Sequence, residues 1–147
     1  MTIPNHIALG LIIGKVTGDY TLAISMSLLL DCDHFVSLYK HGALKSFKLF
    51  WKTTTKTEDY WGDQRGILHN LFSVMLVFFA VYFSFGISIA TTIGLSHLGH
   101  ISLDAISKAD SWLFRPFSNL KTRGFIPYYS TYEIIFFVGL ILIFFLL

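Results

Sequence analysis

Long apolar segments separated by short polar breaks make up most of the second half of the chain. Residues 67–84 carry no formal charge and are almost all apolar or aromatic. At 1.5 Å per residue such a helix approaches the thickness of bilayer hydrocarbon, so this segment predicts a transmembrane helix. A break at Phe85 and Gly86 leads to residues 87–106, which are rich in Ala, Gly, Ser and Thr. Because small residues let membrane helices approach closely, we expect this second helix to lie inside a bundle.

Three further helices are predicted at the two ends of the chain. The run 132–147 is rich in Ile, Phe, Leu and Val, and it predicts a final transmembrane helix. At the front, Pro4 suits the first turn of a helix. The apolar segments 6–16 and 20–30 flank a turn signal at 17–19. Each of these two segments is shorter than a full span, so together they predict a shallow or tilted hairpin.

The positive charges are concentrated in two loops. Ten of the eleven Lys and Arg residues lie in 40–65 and 108–123, which the positive-inside rule assigns to the cytoplasmic face. The two central helices connect these loops, so the predicted topology is self-consistent. Within the first loop, residues 44–52 alternate apolar side chains with lysines. This pattern predicts either a short helix at an anionic lipid surface or a solvated basic loop.

Composition supports a membrane protein. Only 14% of the residues are charged, compared with about 25% in a typical soluble domain, and 54% are apolar. A formal net charge of +2 gives no indication of a nucleic-acid partner. We therefore expect one all-α domain over 1–147, an integral-membrane bundle of four to five helices in the cytoplasmic membrane. Its loops 40–65 and 108–130 would face the cytoplasm, and membrane lipid would be its first partner.

Ionisable residues within membrane segments are costly and usually functional. In this chain they lie where the predicted topology places the cytoplasmic end of each helix. They are His6, Asp31, Asp33, His34, Arg65, His69, His97, His100 and Asp104. The predicted topology therefore brings polar residues from four segments to one membrane depth.

The spacing of these residues suggests ligand pairs. His100 and Asp104 are four residues apart and share a helix face, and Asp31 and His34 are three apart and do the same. Asp33 would point away from that face unless the helix unwinds there. Arg65 and His69 are four residues apart and share a face at a predicted helix start.

Carboxylates at helix C-termini face the negative end of the helix dipole, so they need a compensating cation. Imidazole and carboxylate ligands without a thiolate cluster suit one or two divalent ions, zinc before manganese or iron. The alternative is a buried hydrogen-bonded network that only orients the helices.

Four sequence blocks, in order, resemble the YdjM family of membrane-bound metal-dependent hydrolases, some of which are LexA-binding. The blocks are His6, L-L-D-C-D-H at 29–34, R-G-I-L-H-N at 65–70 and H-I-S-L-D at 100–104. Leu30 and Asn70 depart from the family pattern of Pro and Ser. The resemblance implies that a metal is held by His6, Asp31, Asp33, His34, His69, His100 and Asp104, with Arg65 beside it. The sequence is also more distantly similar to zinc-dependent phospholipases C, but it lacks the downstream metal ligands of those enzymes.

The first functional hypothesis is a metal-dependent hydrolase of an ester or phosphoester in a lipid-like substrate at the cytoplasmic face. In it, His69, His100 and Asp104 are core ligands. Asp33 is a general base or second-metal ligand, and Arg65 binds a substrate phosphate. A second hypothesis is a non-catalytic metal-binding platform for a regulatory partner. A third, a b-type haem protein, explains the paired histidines but leaves the aspartates without a role.

Overall fold

The structure is a computed structural model that describes residues 1–54, 61 and 65–147. Helix α1 (Ile3–Thr17) has Pro in its first turn and ends at Gly18, which adopts a left-handed φ of 83°. Gly14 lets the next helix approach closely, because a Cβ there would lie 2.6 Å from the Tyr20 Cα. The predicted N-terminal hairpin is thus present as two closely packed helices.

The second segment is longer than predicted. Helix α2 (Tyr20–Leu29) runs into a 3-10 turn at Leu30–Asp33 and then into α3 (His34–Lys40). The expected end at residue 30 is therefore wrong, because the backbone tightens at the aspartates and remains helical. Asp19 caps the start, where its carboxylate accepts from the Leu22 N–H at 2.9 Å.

The first basic loop contains a second short helix. After a 3-10 turn at Ala43–Lys45, helix α4 spans Phe47–Thr54. Of the two alternatives for 44–52, the structure therefore favours a helix, while its contact with lipid stays a prediction. Residues 55–60 and 62–64 of the predicted 40–65 loop lie outside the described residues.

Two antiparallel helices follow. Helix α5 (Leu71–Phe85) begins later than the expected residue 67, because the Asn70 side chain accepts from the Ser73 N–H at 2.8 Å and caps the helix there. Gly86 separates α5 from α6 (Ile87–Ile106), whose bounds match the prediction. Because α5 starts at residue 71, Arg65 and His69 lie in the turn that leads into it and not on its first helical face.

The predicted loop 108–130 carries a minimal sheet. Strand β1 (Asp110–Ser111) pairs antiparallel with β2 (Thr122–Arg123) before α7 (Thr131–Leu146) ends the chain. Counting Tyr20–Lys40 as one segment, six helices lie in the described residues, one more than the upper limit predicted. The protein is mostly helical, as expected.

Helix α1 is central, since it packs against α2, α6 and α7, while α5 packs on α6. Among the described residues, Tyr20–Lys40 alone is long and apolar enough to cross a membrane. Helices α5 and α7 are apolar but have only 15 and 16 residues, and α6 has the length but carries several polar side chains. The predicted spans 67–84, 87–106 and 132–147 correspond to α5, α6 and α7, and none of these three helices meets the test for a membrane span.

Candidate metal centre

The predicted polar residues converge on one place, at the end of the helices where the 3-10 turn lies. His6 comes from α1, Asp31 and Asp33 from the 3-10 turn, and His34 from the start of α3. His69 precedes α5, and His100 and Asp104 lie on α6. The side chains of His6, His69, His100 and Asp104 are at most 3% exposed, whereas Asp31 and His34 are 23% and 28% exposed.

Six of these residues form two overlapping groups. The first contains His6, Asp31, His100 and Asp104, and the second contains Asp31, His34, His69 and Asp104. In each group one ligand atom per residue lies within 4.8 Å of every other. Since Asp31 and Asp104 belong to both groups, the arrangement can hold one ion or two ions that share carboxylates.

The distances between ligand atoms fit direct coordination. Four ligands at 2.0 Å from a tetrahedral zinc ion are roughly 3.3 Å apart. His69 Nε2 lies 3.3 Å from Asp104 Oδ2, and His6 Nε2 lies 3.6 Å from Asp104 Oδ1. Asp31 Oδ1 lies 3.4 Å from His100 Nε2 and 3.7 Å from His34 Nδ1. An ion therefore needs only small side-chain shifts.

Hydrogen bonds on the outer side of two histidines determine which nitrogen points inward as an acceptor. His100 Nδ1 lies 2.7 Å from the Ser27 carbonyl oxygen, which only accepts, so this nitrogen carries the proton. His69 Nδ1 donates to Asp33 Oδ2 at 2.8 Å. When both rings are neutral, each presents a lone pair on Nε2 to the interior of the cluster.

These lone pairs face one another and a carboxylate. The two Nε2 atoms of His69 and His100 are 3.1 Å apart, with Asp104 Oδ2 at 3.3 and 3.8 Å. Three acceptors at this distance require a cation between them, either a proton or a metal ion. Burial lowers the pKa of His69, but hydrogen bonds to Asp104 and Asp33 and their charges outweigh it and raise the pKa to about 9. A proton on His69 therefore satisfies this arrangement as a metal ion would.

Asp33 lies just outside the two groups. Its Oδ2 accepts from His69 and from the Gly66 N–H at 3.1 Å, which joins the 3-10 turn to the segment before α5. A carboxylate that accepts from the second nitrogen of a ligating histidine fixes the ring and increases its basicity. The 3-10 backbone at Leu30–Asp33 turns each residue further than an α-helix would, so the expectation that Asp33 points away without unwinding is wrong: the helix tightens there instead.

Arg65 is held by the protein itself. Its Nε lies 3.3 Å from Asp104 Oδ2, and its two terminal nitrogens donate to oxygen atoms around the loop that follows α6. The acceptors are the Ala109 and Asp110 carbonyls and the hydroxyls of Ser107, Ser111 and Tyr128. A role as a phosphate clamp would require some of these hydrogen bonds to break, since all three nitrogens are engaged.

Tyr128 is a site residue that sequence reasoning did not identify. Burial and the charge of Asp104 raise the pKa of its phenol to about 12, so it stays protonated at neutral pH. Its hydroxyl accepts from Arg65 at 2.9 Å, and the amino group of Met1 contacts both Tyr128 and Asp104. No local sequence feature distinguishes Tyr128 from Tyr129 and Tyr132, which also lie near the start of α7.

His97 lies beside the cluster but belongs to neither group. Its Nε2 donates to the Leu68 carbonyl at 2.7 Å and lies 3.3 Å from the Ser73 hydroxyl. The ring is therefore engaged in holding the turn before α5 against α6.

The fold and the site together define a mostly helical protein with a buried His and Asp cluster that can hold a metal ion. Comparisons with family models, curated proteins and solved structures each gave no significant match.

Proposed function

We propose that this protein is an integral-membrane hydrolase that uses one or two divalent ions, zinc being the first candidate. Its substrate would be an ester or phosphoester of a lipid-like molecule at the cytoplasmic membrane face. The observation that carries the proposal is the pair of overlapping groups, in which buried nitrogen and oxygen acceptors point at one another. Such an arrangement requires positive charge, and a divalent ion would supply more of it than the proton on His69, Arg65 and the Met1 amino group provide.

Exposed apolar surface supports the membrane assignment. Helix α5 exposes Phe79 and Phe83, and α7 exposes Ile134, Val138 and Leu142, each by about half or more of its surface. Water-soluble proteins rarely expose contiguous apolar patches of this kind. The segment Tyr20–Lys40 adds one helix of sufficient length and hydropathy.

The first group would hold one ion and the second group the other, with Asp31 and Asp104 shared. A divalent ion bound there supplies Lewis-acid chemistry, lowering the pKa of a coordinated water and polarising the oxygen of the scissile bond. Because Asp31 and His34 are the partly exposed members, substrate and water would approach the second group from their side.

The surrounding side chains have separable roles in this proposal. Asp33 holds the ring of His69 with Oδ2, while its Oδ1 has no hydrogen-bond partner among the described residues. This oxygen is buried and lies 3.9 Å from His34 Nε2, so it acts as a general base in this proposal only on water that enters the site beside His34. Arg65 offsets part of the charge of Asp104 and ties it to the loop after α6.

The proposal is tested by elemental analysis of the detergent-purified protein beside the double variant His100→Ala/Asp104→Asn. We expect bound zinc, manganese or iron in the wild type and its loss in this variant. The matched control is His97→Gln/Asp110→Asn, which changes a neighbouring histidine and an exposed aspartate outside both groups. The control should retain its metal.

The same samples are then incubated with chromogenic esters, phosphodiesters and phospholipid vesicles. Metal-dependent turnover by the wild type and control, but not by His100→Ala/Asp104→Asn, is the expected result. A wild type that stays metal-free after reconstitution contradicts the metal centre itself. Bound metal without turnover of any of these substrates contradicts the hydrolase and favours a non-catalytic metal-binding platform.

A further inference from the structure

A cleft with a volume of about 470 Å³ opens beside the candidate metal centre. Asp31 and His34 lie on its wall, and they are the two group members whose side chains remain partly exposed. The other ligands lie on α1, on α6 and in the turn before α5, and all of them are buried. A molecule in this cleft therefore meets the second group first.

The rest of the described cleft wall is mainly apolar. The apolar part is formed by Ile3 and Pro4 of α1, Phe35 and Leu38 of α3, and Phe50 of α4, while the remaining polar lining includes Arg65 and Tyr128. This volume lies within the usual range for small-molecule pockets, which are mostly apolar with a few polar groups that orient the ligand. The wall suits a hydrocarbon chain much better than a sugar or a free inorganic anion.

Helix α4 forms one side of this cleft and also presents apolar side chains outward. Phe50 faces the cleft, whereas Phe47 and Trp51 on the same helix are 79% and 60% exposed. Lys48 and Lys52 are exposed on α4 as well. A basic helix with exposed aromatic residues is typical of a segment at an anionic lipid surface, from which an amphiphile would enter.

We propose that this cleft binds the hydrocarbon chain of an anionic amphiphile whose phosphate-type head lies at Asp31 and His34. The inference rests on the proposed function, because the ion held by the second group supplies positive charge for the head, to which Arg65 on the cleft wall adds. Charge and shape are then complementary: positive charge lies near Asp31 and His34, and the apolar side chains line the part of the wall that faces the chain. Phe35 and Phe50 become the residues that select for chain length.

The test uses alkylphosphonates, which carry a phosphate-like head but have no ester bond to hydrolyse. Inorganic phosphate and the ethyl, butyl, hexyl and octyl compounds are titrated calorimetrically into the full-length, metal-loaded protein held in one amphipol. We expect the Kd to fall by up to about fourfold for each added methylene that the cleft buries, with inorganic phosphate binding most weakly. Phe35→Ser and Phe50→Ser should each flatten the chain-length series.

Phe47→Ser is the matched control, since it removes an equal side chain from α4 without altering the cleft wall. It should leave the series as steep as in the wild type. Equal binding of inorganic phosphate and octylphosphonate, or an equal effect of Phe47→Ser and Phe50→Ser, overturns the inference.

Elemental analysis of each titrated sample separates this inference from the proposed function. Bound metal with a flat series overturns the chain-binding cleft alone. A steep series without any bound metal overturns the proposed function while supporting the cleft.

Discussion

The overlap of the two His and Asp groups predicts how many ions each single variant retains. His6 belongs only to the first group and His34 only to the second, whereas Asp104 belongs to both. In the two-ion form of the site, we expect two ions per chain in the wild type, one in His6→Ala, one in His34→Ala, and none in Asp104→Asn.

The expected magnitude follows from mass action. An ion at a free concentration of 100 times its Kd stabilises the folded state by about 2.7 kcal/mol, so two ions contribute about 5.4 kcal/mol. For a chain of this size, each ion then raises the midpoint of thermal unfolding by about 5–11 °C. His6→Ala and His34→Ala, which each keep one ion, should show about half of the metal-dependent rise in unfolding midpoint that the wild type shows.

The assay compares unfolding of each variant with metal and with a chelator, alongside elemental analysis. Comparing each variant with itself removes any direct effect of the substitution on packing. His97→Gln is the control, because this buried histidine belongs to neither group and a glutamine can still donate to the Leu68 carbonyl. Two ions retained by Asp104→Asn, or unchanged stoichiometry in both His6→Ala and His34→Ala, would refute the reasoning.

Two further predictions concern the residues around the site. Asp33→Asn should weaken metal affinity by about tenfold to a hundredfold in a chelator-competition titration, because the His69 ring loses its charged hydrogen-bond acceptor. The surface substitution Asp110→Asn should leave the affinity unchanged. Gly124→Ala should destabilise the protein by roughly 1–3 kcal/mol in thermal or denaturant unfolding, because the new Cβ would lie 2.0 Å from the Ile106 carbonyl oxygen. Gly139→Ala is the control and should not destabilise the protein, because a Cβ there would meet nothing within 4 Å. Equal effects of the two glycine substitutions would contradict the packing argument.

Local signals predicted the helices well where they ended at strong breaks. Gly86 separates α5 from α6 as expected, and Gly18 ends α1 with a left-handed backbone. The predicted start of α5 at residue 67 is too early because residues 67–70 carry no formal charge and include Ile67 and Leu68, and such a pattern does not distinguish a turn from the first turn of a helix. The start of α5 depends on the Asn70 side chain, which accepts a hydrogen bond from the Ser73 N–H and caps the helix there.

The arrangement within the site depended on long-range contacts. His97 and His100 share a helix and look equivalent as ligands, yet the Leu68 carbonyl engages the first and the Ser27 carbonyl orients the second. Arg65 was predicted to bind a phosphate, but the oxygens that surround it come from a loop more than forty residues away. Backbone carbonyls leave no residue-specific signal in a sequence.

The sequence by itself determined the helical class, the bounds of α6 and the residue types of the cluster, because apolar runs, glycine breaks and ionisable residues in apolar segments are local properties. Only the tertiary structure decided that Asp31 and Asp104 are shared by two groups and that Asp33 supports His69 from outside them. Those relations depend on where four separate segments meet, and distances of a few ångströms between them are set by packing of the whole bundle.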